Sequence, residues 1–429
     1  MRRRTLRFGS SAAALAVVGA LAACGMETAA SAPACDPDDG GLVLPEGFCA
    51  AVVADGVGPV RHLAVAPDGD IYAAVRDRRG EPGGVLALRD TTGDGRADVT
   101  ARFGPQGGTG IALVGEDLFF ATDDAILRYD RPAGSLEPAG GPDTIAAGLL
   151  NRRSHAAKSI AVGDDGRLFV NIGAPSNACQ EEARQPGVPG TDPCPLLEES
   201  GGIWAFDAGR SGQAQADGER WATGIRNMVA LAVDPPTGRL YGLQHGRDQL
   251  NGLWPDLYTD EESSELPAEE FFRIDRGDDF GWPYCYYDHL QARKVLMPEY
   301  GGDGEEVGRC AEKEDPVVAF PGHWAPNALV FYHGDAFPER YRGGAFVAFH
   351  GSWNRTPVQQ GYRVSFVPFR NGAPSGEYET FADGFTDGEV ASAGDAEHRP
   401  TGLAVGPDGS LYITDDAGGR IWRVAYVGR

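Results

Sequence analysis

The sequence predicts an all-β fold: a six-bladed β-propeller closed by an N-terminal strand, with long disulfide-bearing loops. Three observations carry this expectation. One hairpin unit recurs six times, most copies are followed by a further short strand, and a strand without a hairpin partner precedes the first copy. A β-sandwich would also use many strands, but it does not explain six repeats of one unit.

The clearest unit is residues 223–248, TGIRNMVALAVDPPTGRLYGLQHGRD. Val229, Leu231 and Val233 alternate with smaller residues; Pro235, Pro236, Thr237 and Gly238 turn the chain, and Leu240, Tyr241 and Leu243 begin a second apolar strand. If the two strands pair antiparallel, Arg226 and Asn227 lie at the same end as His245, Gly246, Arg247 and Asp248. Residues 61–75, 109–122, 155–173, 325–351 and 399–416 repeat the pattern, several through Asp-Gly or Gly-Asp turns. Third strands follow as GVLALRD, AILRYD, GGIWAFD, EEFFRID, YRVSFVPF and RIWRVAY. The orphan strand at 42–55 is placed to complete the last blade. The insertions at 176–200 and 250–323 read as loops rich in Gly, Pro, Asp and Glu.

Residues 1–23 hold Arg2, Arg3, Arg4 and Arg7, then an alanine-rich run too short for a transmembrane helix, then Leu21-Ala22-Ala23-Cys24. This reads as an export signal. Its ending on Cys resembles a bacterial lipobox, with Cys24 as the lipidated residue, and a plain cleaved signal peptide is the alternative. Residues 24–41 form a polar tether and 42–429 one propeller domain. The expected address is outside the cytoplasm, a membrane-anchored lipoprotein facing the periplasm or cell exterior, touching the membrane only through its lipid.

The formal charge is −24, and losing the leader removes four Arg and no acid. Nucleic acid is therefore excluded as a natural partner. Apart from Cys24, the cysteines form three sequence-local pairs, and disulfides 35–49, 179–194 and 285–310 are the simplest connectivity. The spacing does not suit a zinc site.

Function is sought where the polar ends gather. Upstream of the apolar residues Ile160, Leu231, Leu329 and Leu403 stand His155, the pair Arg226 and Asn227, His323, and the pair His398 and Arg399. In a propeller the innermost strands line one channel, so these positions meet at one mouth. Cations gathered on an acidic protein call for an anionic ligand carrying carboxylates or phosphates. The chain contains no GxGxxG, GxxxxGK, GxSxG or HExxH motif, which argues against the usual nucleotide sites, serine hydrolysis and zinc proteolysis. Residues 90–98, DTTGDGRAD, read either as a degenerate calcium loop lacking its terminal Glu or as an Asx-rich turn.

Taken together, RHLAVAPDGDIYAA, SHAAKSIAVGDDGRLFVNIGAPSNAC, TGIRNMVALAVDPPTGRLYGLQHGRD, PAEEFFRIDRGDDFGWPYC, HWAPNALVFYHG, FHGSWNR and RPTGLAVGPDGSLYITDD resemble the glucose/sorbosone dehydrogenase family over about residues 42–427. Members of that family are similar to soluble quinoprotein glucose dehydrogenase. The resemblance implies pyrroloquinoline quinone (PQQ), calcium (Ca2+) and hydride abstraction from a sugar while a His removes the hydroxyl proton. It implies His155 as that base, with Arg226, Asn227, Arg399 and His323 at the cofactor. The carbonyls of Gly246 and Arg247 are implied for calcium, with Glu269 or Glu270 ligating or orienting nearby. Where the family carries a Lys, GSWNR offers Asn354 or Arg355.

Trp282, Tyr284, Trp324 and Trp353 are expected either to stack on a sugar or quinone, or to fill core. The implied partners are an aldose or sorbosone-like sugar and a quinone or cytochrome electron acceptor. Two rival readings stand beside this one: a calcium-dependent lactonase, and a non-catalytic propeller binding carbohydrate or protein.

Overall fold

The six repeated hairpins become six antiparallel sheets arranged in a ring. In the computed structural model, which describes residues 34–428 apart from 153, their innermost strands are Val60–Val65, Gly108–Val114, Ile160–Val162, Ala230–Asp234, Pro326–Phe331 and Pro400–Val405. Each packs against the corresponding strand of the next blade, and the first and last also touch, so the ring is closed. Closure is completed by Phe48–Ala54, which pairs with Ile421–Tyr426, Phe48 opposite Tyr426 and Val52 opposite Trp422. The described residues belong to one compact unit, Pro33–Arg429.

Local chemistry explains the units. Tight turns join first to second strands, and Gly166 and Gly409 take φ of 81° and 79° there, a region that costs glycine nothing. Middle strands are covered on both faces by the adjacent blades, so Ile71–Val75 and Ala345–Phe349 are buried at every position. Outer strands face solvent on one side, as the mostly exposed Val99–Phe103 shows. Between blades 5 and 6, Phe48, Tyr341, Phe346, Phe366 and Phe381 form one buried aromatic layer. Each large side chain so buried contributes about 1.5–3 kcal/mol.

The up-and-down order of each blade decides where function can sit. Connections from first to second and from third to fourth strand emerge at one end of the ring. Connections from second to third strand, and from one blade to the next, emerge at the other. The latter set carries His155, Arg226, Asn227, His323 and Arg399 between blades, and Gly246, Arg247, Asn354, Arg355 and Asp416 within them. One face of the propeller therefore collects every candidate residue.

Two differences from the sequence reading follow, together with one point it left open. The segment 250–323 is not all loop: it forms short helices at Leu250–Leu253 and Asp260–Glu265 and a strand pair, Cys285–Asp288 with Arg293–Leu296. Residues 36–41, read as tether, pack along blade 6, where Asp36 accepts the Val52 amide at 2.8 Å and Trp422 Nε1 donates to the Gly40 carbonyl at 3.0 Å. In residues 90–98, the Asp90 carboxylate accepts the amides of Gly93 and Gly95, each at 2.7 Å, which is the geometry of an Asx-rich turn.

The disulfides pair as expected, with Cα separations of 5.9 Å for 35–49, 6.2 Å for 179–194 and 5.7 Å for 285–310. Among the described residues no helix is long and apolar enough to cross a membrane. The leader and Cys24 lie outside the described residues.

Candidate active site

His155 sits on the connection between blades 2 and 3 with a φ of 55°, an uncommon conformation for a residue with a Cβ. What holds it there is a hydrogen bond from Nδ1 to the Ala174 carbonyl, 2.5 Å long. A carbonyl can only accept, so Nδ1 carries the proton and Nε2 keeps a lone pair with no partner among the described residues. Gly173 lies beneath: a Cβ there would fall 2.7 Å from both Asn227 Oδ1 and His155 Cβ. Burial and the nearby Arg226 guanidinium push the imidazole pKa down to about 3, so His155 is neutral at ordinary pH.

Arg226 and Asn227 enter the same corner from the next connection. Asn171 donates to Asn227 Oδ1 at 3.1 Å, and the Asn227 amide nitrogen has no partner among the described residues. Arg226 is 3% exposed and is held by Asp248 at 2.7 Å, Asn177 at 3.1 Å and the Gly246 carbonyl at 2.9 Å. Only its Nε is unpaired. Arg184, from the disulfide-bearing loop, reaches the same Asp248 oxygen at 2.7 Å. Burial pushes the Asp248 pKa up, but Arg226, His323 and Arg184 together pull it well below the usual carboxylate range.

Across the opening, residues outside the expected set complete the wall. His350 Nε2 bonds to Asp416 at 2.7 Å, and Asp416 also pairs with Arg61. His245 and His62 donate to the carbonyls of Pro326 (2.9 Å) and Asn327 (2.7 Å). Burial, more than the bond to the carbonyl opposes, pushes each to about 4, so these rings are neutral as well. Arg399 donates to the carbonyls of His350 (3.0 Å) and Gly351 (2.9 Å) and has no carboxylate partner among the described residues.

The electrostatics differ from the sequence expectation in their bookkeeping, not in their sign. The imidazoles of His155, His62 and His245 are neutral, and Arg61 is cancelled by Asp416. One Asp248 serves both Arg226 and Arg184, so that group and Arg399 each leave one positive charge uncompensated. The mouth remains suited to an anion.

Several expected residues face elsewhere. Arg355 is a correction: its guanidinium is buried against the end of helix Asp260–Glu265, donating to the carbonyls of Ser264 and Gly322 and pairing with Glu265. A buried guanidinium requires such partners, and the negative end of a helix supplies them. Asn354 alone of the pair faces the cluster, donating to Asp248 at 3.3 Å, while its Oδ1 is buried and unpaired. His323 spends one ring nitrogen, Nε2, on the carbonyls of Ser263 (2.8 Å) and Leu266 (3.1 Å). The Arg247 side chain turns into the insertion to meet Glu299 at 2.8 Å, so only its backbone belongs to the mouth.

Glu269 is engaged with the backbone, its two oxygens accepting the amides of Gly246 (3.0 Å) and Ala325 (3.1 Å). Burial pushes its pKa up to about 8. Glu270 pairs with Lys294 at 2.5 Å in the blade interior. Of the aromatics, Trp282 and Trp324 are core, Tyr284 bonds the Cys194 amide, and Trp353 is 52% exposed beside Asn354.

Fold and site together define a six-bladed propeller with one axial mouth of imidazoles, guanidiniums and amides. The sequence model of the TrAA12-like family matches residues 42–427, and the chain belongs to that family. It is 27% identical over 234 residues to the pyrroloquinoline quinone-dependent pyranose dehydrogenase of Coprinopsis cinerea, covering 46% of this chain and 30% of that protein. It is 25% identical over 238 residues to the aldose sugar dehydrogenase YliI of Escherichia coli, covering 54% and 47%. The chain thus spans about half or less of the length of these curated relatives.

Among solved structures, the holo pyranose dehydrogenase PQQ domain of C. cinerea shares the fold with a TM-score of 0.71 at 18% identity, over 90% of this chain and 97% of that one. The calcium structure of the Trichoderma reesei family AA12 enzyme gives 0.71 at 17% identity, over 90% and 97%.

Proposed function

We propose that the chain is an exported dehydrogenase that oxidises an aldose, or a sorbosone-like hydroxy-aldehyde, with PQQ and Ca2+ and with His155 as general base. The observation that carries this reading is the state of His155: neutral, tautomer fixed by Ala174, and Nε2 unengaged at the positively biased mouth. The relatives named as a PQQ-dependent pyranose dehydrogenase and as an aldose sugar dehydrogenase support it.

The residues present fit a flat polycarboxylate. Arg226 Nε is a buried donor without a partner, and Arg399 is a cation without a carboxylate, among the described residues. Arg399, Asn227, Asn354 and the Arg226 Nε would hold PQQ, and the carbonyls of Gly246 and Arg247 would face Ca2+, a hard ion that takes oxygen ligands. When bound, PQQ supplies a two-electron acceptor for the hydride. The chain supplies the rest. His155 Nε2 takes the proton of the hydroxyl being oxidised, and the Ala174 carbonyl stabilises the imidazolium that forms. Glu269 pins the Gly246 amide, and Asp248 holds Arg226 in register.

Export, lipidation at Cys24 and a quinone or cytochrome acceptor belong to the same proposal, supported by the leader pattern and the disulfides. A lactonase requires side-chain carboxylates converging on its metal, and among the described residues no three metal-capable side chains converge. The test is to load the purified protein with PQQ and Ca2+ and add aldoses. Bleaching of the quinone absorbance supports the dehydrogenase. Lactone hydrolysis without quinone, or sugar binding with no oxidation, would replace it by the hydrolase or the binding propeller.

A further inference from the structure

Beside the mouth, between blades 1 and 6, lies a cavity of about 560 Å³ lined by Arg76, Arg78, Arg102, Glu81 and backbone rich in Gly and Pro. That volume is in the range of small-molecule sites. It opens on the mouth face, because its loop 76–83 joins the second and third strands of blade 1. Its inner rim is Ala417, next in chain to Asp416, and Pro59, two residues before Arg61. Asp416 and Arg61 are the ion pair in the mouth wall, so the cavity lies beside the site on the same face.

The cavity is positive on a chain of net charge −24. Arg76 is occupied by Asp123 and Thr109, each at 3.2 Å. Arg102 spends one nitrogen on the Val57 carbonyl at 2.6 Å and keeps the others, and the Arg78 side chain has no partner among the described residues. Glu81 is the single acid in the lining. Between the guanidiniums stand Val57, Pro59, Val75 and Pro82, aliphatic surfaces that suit the C–H face of a sugar ring. Guanidinium forks beside apolar ledges match a pyranose that carries a carboxylate.

We infer that this cavity is a subsite for an acidic saccharide, a chain containing uronate units, whose reducing end reaches the mouth. The inference rests on the dehydrogenase reading for what happens at the mouth and extends it to the class of substrate.

The test has a part that needs no cofactor. Calorimetry on the full-length apo protein compares trigalacturonate with a neutral trisaccharide, in wild type and in the double variant Arg78→Ala/Arg102→Ala. Both arginines are exposed and lie outside the catalytic cluster, so the variant retains the fold, which its melting temperature verifies. The acidic trisaccharide is expected to bind about tenfold more tightly than the neutral one, and the double variant to lose that advantage. Raised ionic strength should weaken the acidic ligand alone. Equal affinity for the two trisaccharides, or an unaffected double variant, overturns the subsite. Inorganic phosphate or sulfate binding as tightly as trigalacturonate overturns the saccharide assignment in favour of a simple anion site.

Kinetics of the loaded enzyme then separate the two readings. A raised KM for acidic oligosaccharides in the double variant, with neutral sugars unchanged, supports both. Acidic binding with no oxidation of any sugar sinks the dehydrogenase and leaves the cavity's preference standing.

Discussion

His155 and Ala174 are joined by a 2.5 Å hydrogen bond from Nδ1 to the carbonyl oxygen, and the Ala174 amide is in turn bonded to the Arg226 carbonyl at 2.8 Å. One backbone residue therefore fixes the tautomer of the proposed base and the position of the arginine beside it. His155→Asn removes the base while leaving this backbone in place. We expect kcat to fall by about 10²–10⁴, with PQQ affinity, read by absorbance titration, changed less than about threefold. A variant turning over at the wild-type rate contradicts the assignment.

Gly173→Ala tests the same corner without touching a functional group. The added Cβ would stand 2.7 Å from Asn227 Oδ1 and from His155 Cβ, so the imidazole must move. Displacement on this scale costs about a hundredfold in rate. Steady-state kinetics should show that loss while the circular dichroism of the sheet is retained.

The buried Arg226–Asp248 pair is expected to be costly to halve. Asp248→Asn leaves a guanidinium that is 3% exposed without its counter-charge. A loss of about 3–5 kcal/mol is expected, because breaking a buried pair strands one charge. Adding Arg226→Met should recover part of the stability, a non-additivity that urea denaturation of the single and double variants measures.

Acid should destabilise the protein over a definite window. His62 and His155 titrate near 4 and 3 in the folded state, below the ordinary imidazole value of about 6.5. Below about pH 6.5 the unfolded chain binds protons that the folded chain refuses. Their stabilising contribution is therefore full above that pH and is lost as pH falls towards 4 and then 3. Calorimetric melting temperatures should decline across this window, and the acid limb of turnover should lie at its lower end, near pH 3, where His155 titrates. An inflection of kcat at about pH 6.5 contradicts the described burial.

The blades were legible because each repeats a tight turn between two apolar strands, and the closing strand because Phe48–Ala54 had no hairpin partner nearby. The outer strands were not legible: Val99–Phe103 is mostly exposed, so no apolar pattern marks it. The helix Asp260–Glu265 was hidden by its length and its run of acids, although the Thr259 and Glu262 capping box was a readable signal. At the site, connections between blades carry His155, Arg226 and Arg399 at similar distances before an apolar strand, and spacing alone reveals that.

What spacing does not reveal is pairing. Arg61 meets Asp416 across 355 positions, and Asp248 gathers Arg184 and Arg226 from separate loops. Asn354 and Arg355 are neighbours in sequence yet face opposite ways, because only one could satisfy a buried guanidinium at the end of a helix.

On the proposed function the mouth holds an anionic quinone through Arg399, while Arg355 is structural. Equilibrium titration of apo protein with PQQ in the presence of Ca2+ tests it, run in parallel on wild type, Arg399→Ala and Arg355→Met. Saturable binding is expected in wild type, with affinity weakened about tenfold or more in Arg399→Ala and unchanged in Arg355→Met despite a lower melting temperature. Absence of saturable binding in wild type, or a loss of affinity confined to Arg355→Met, would contradict it.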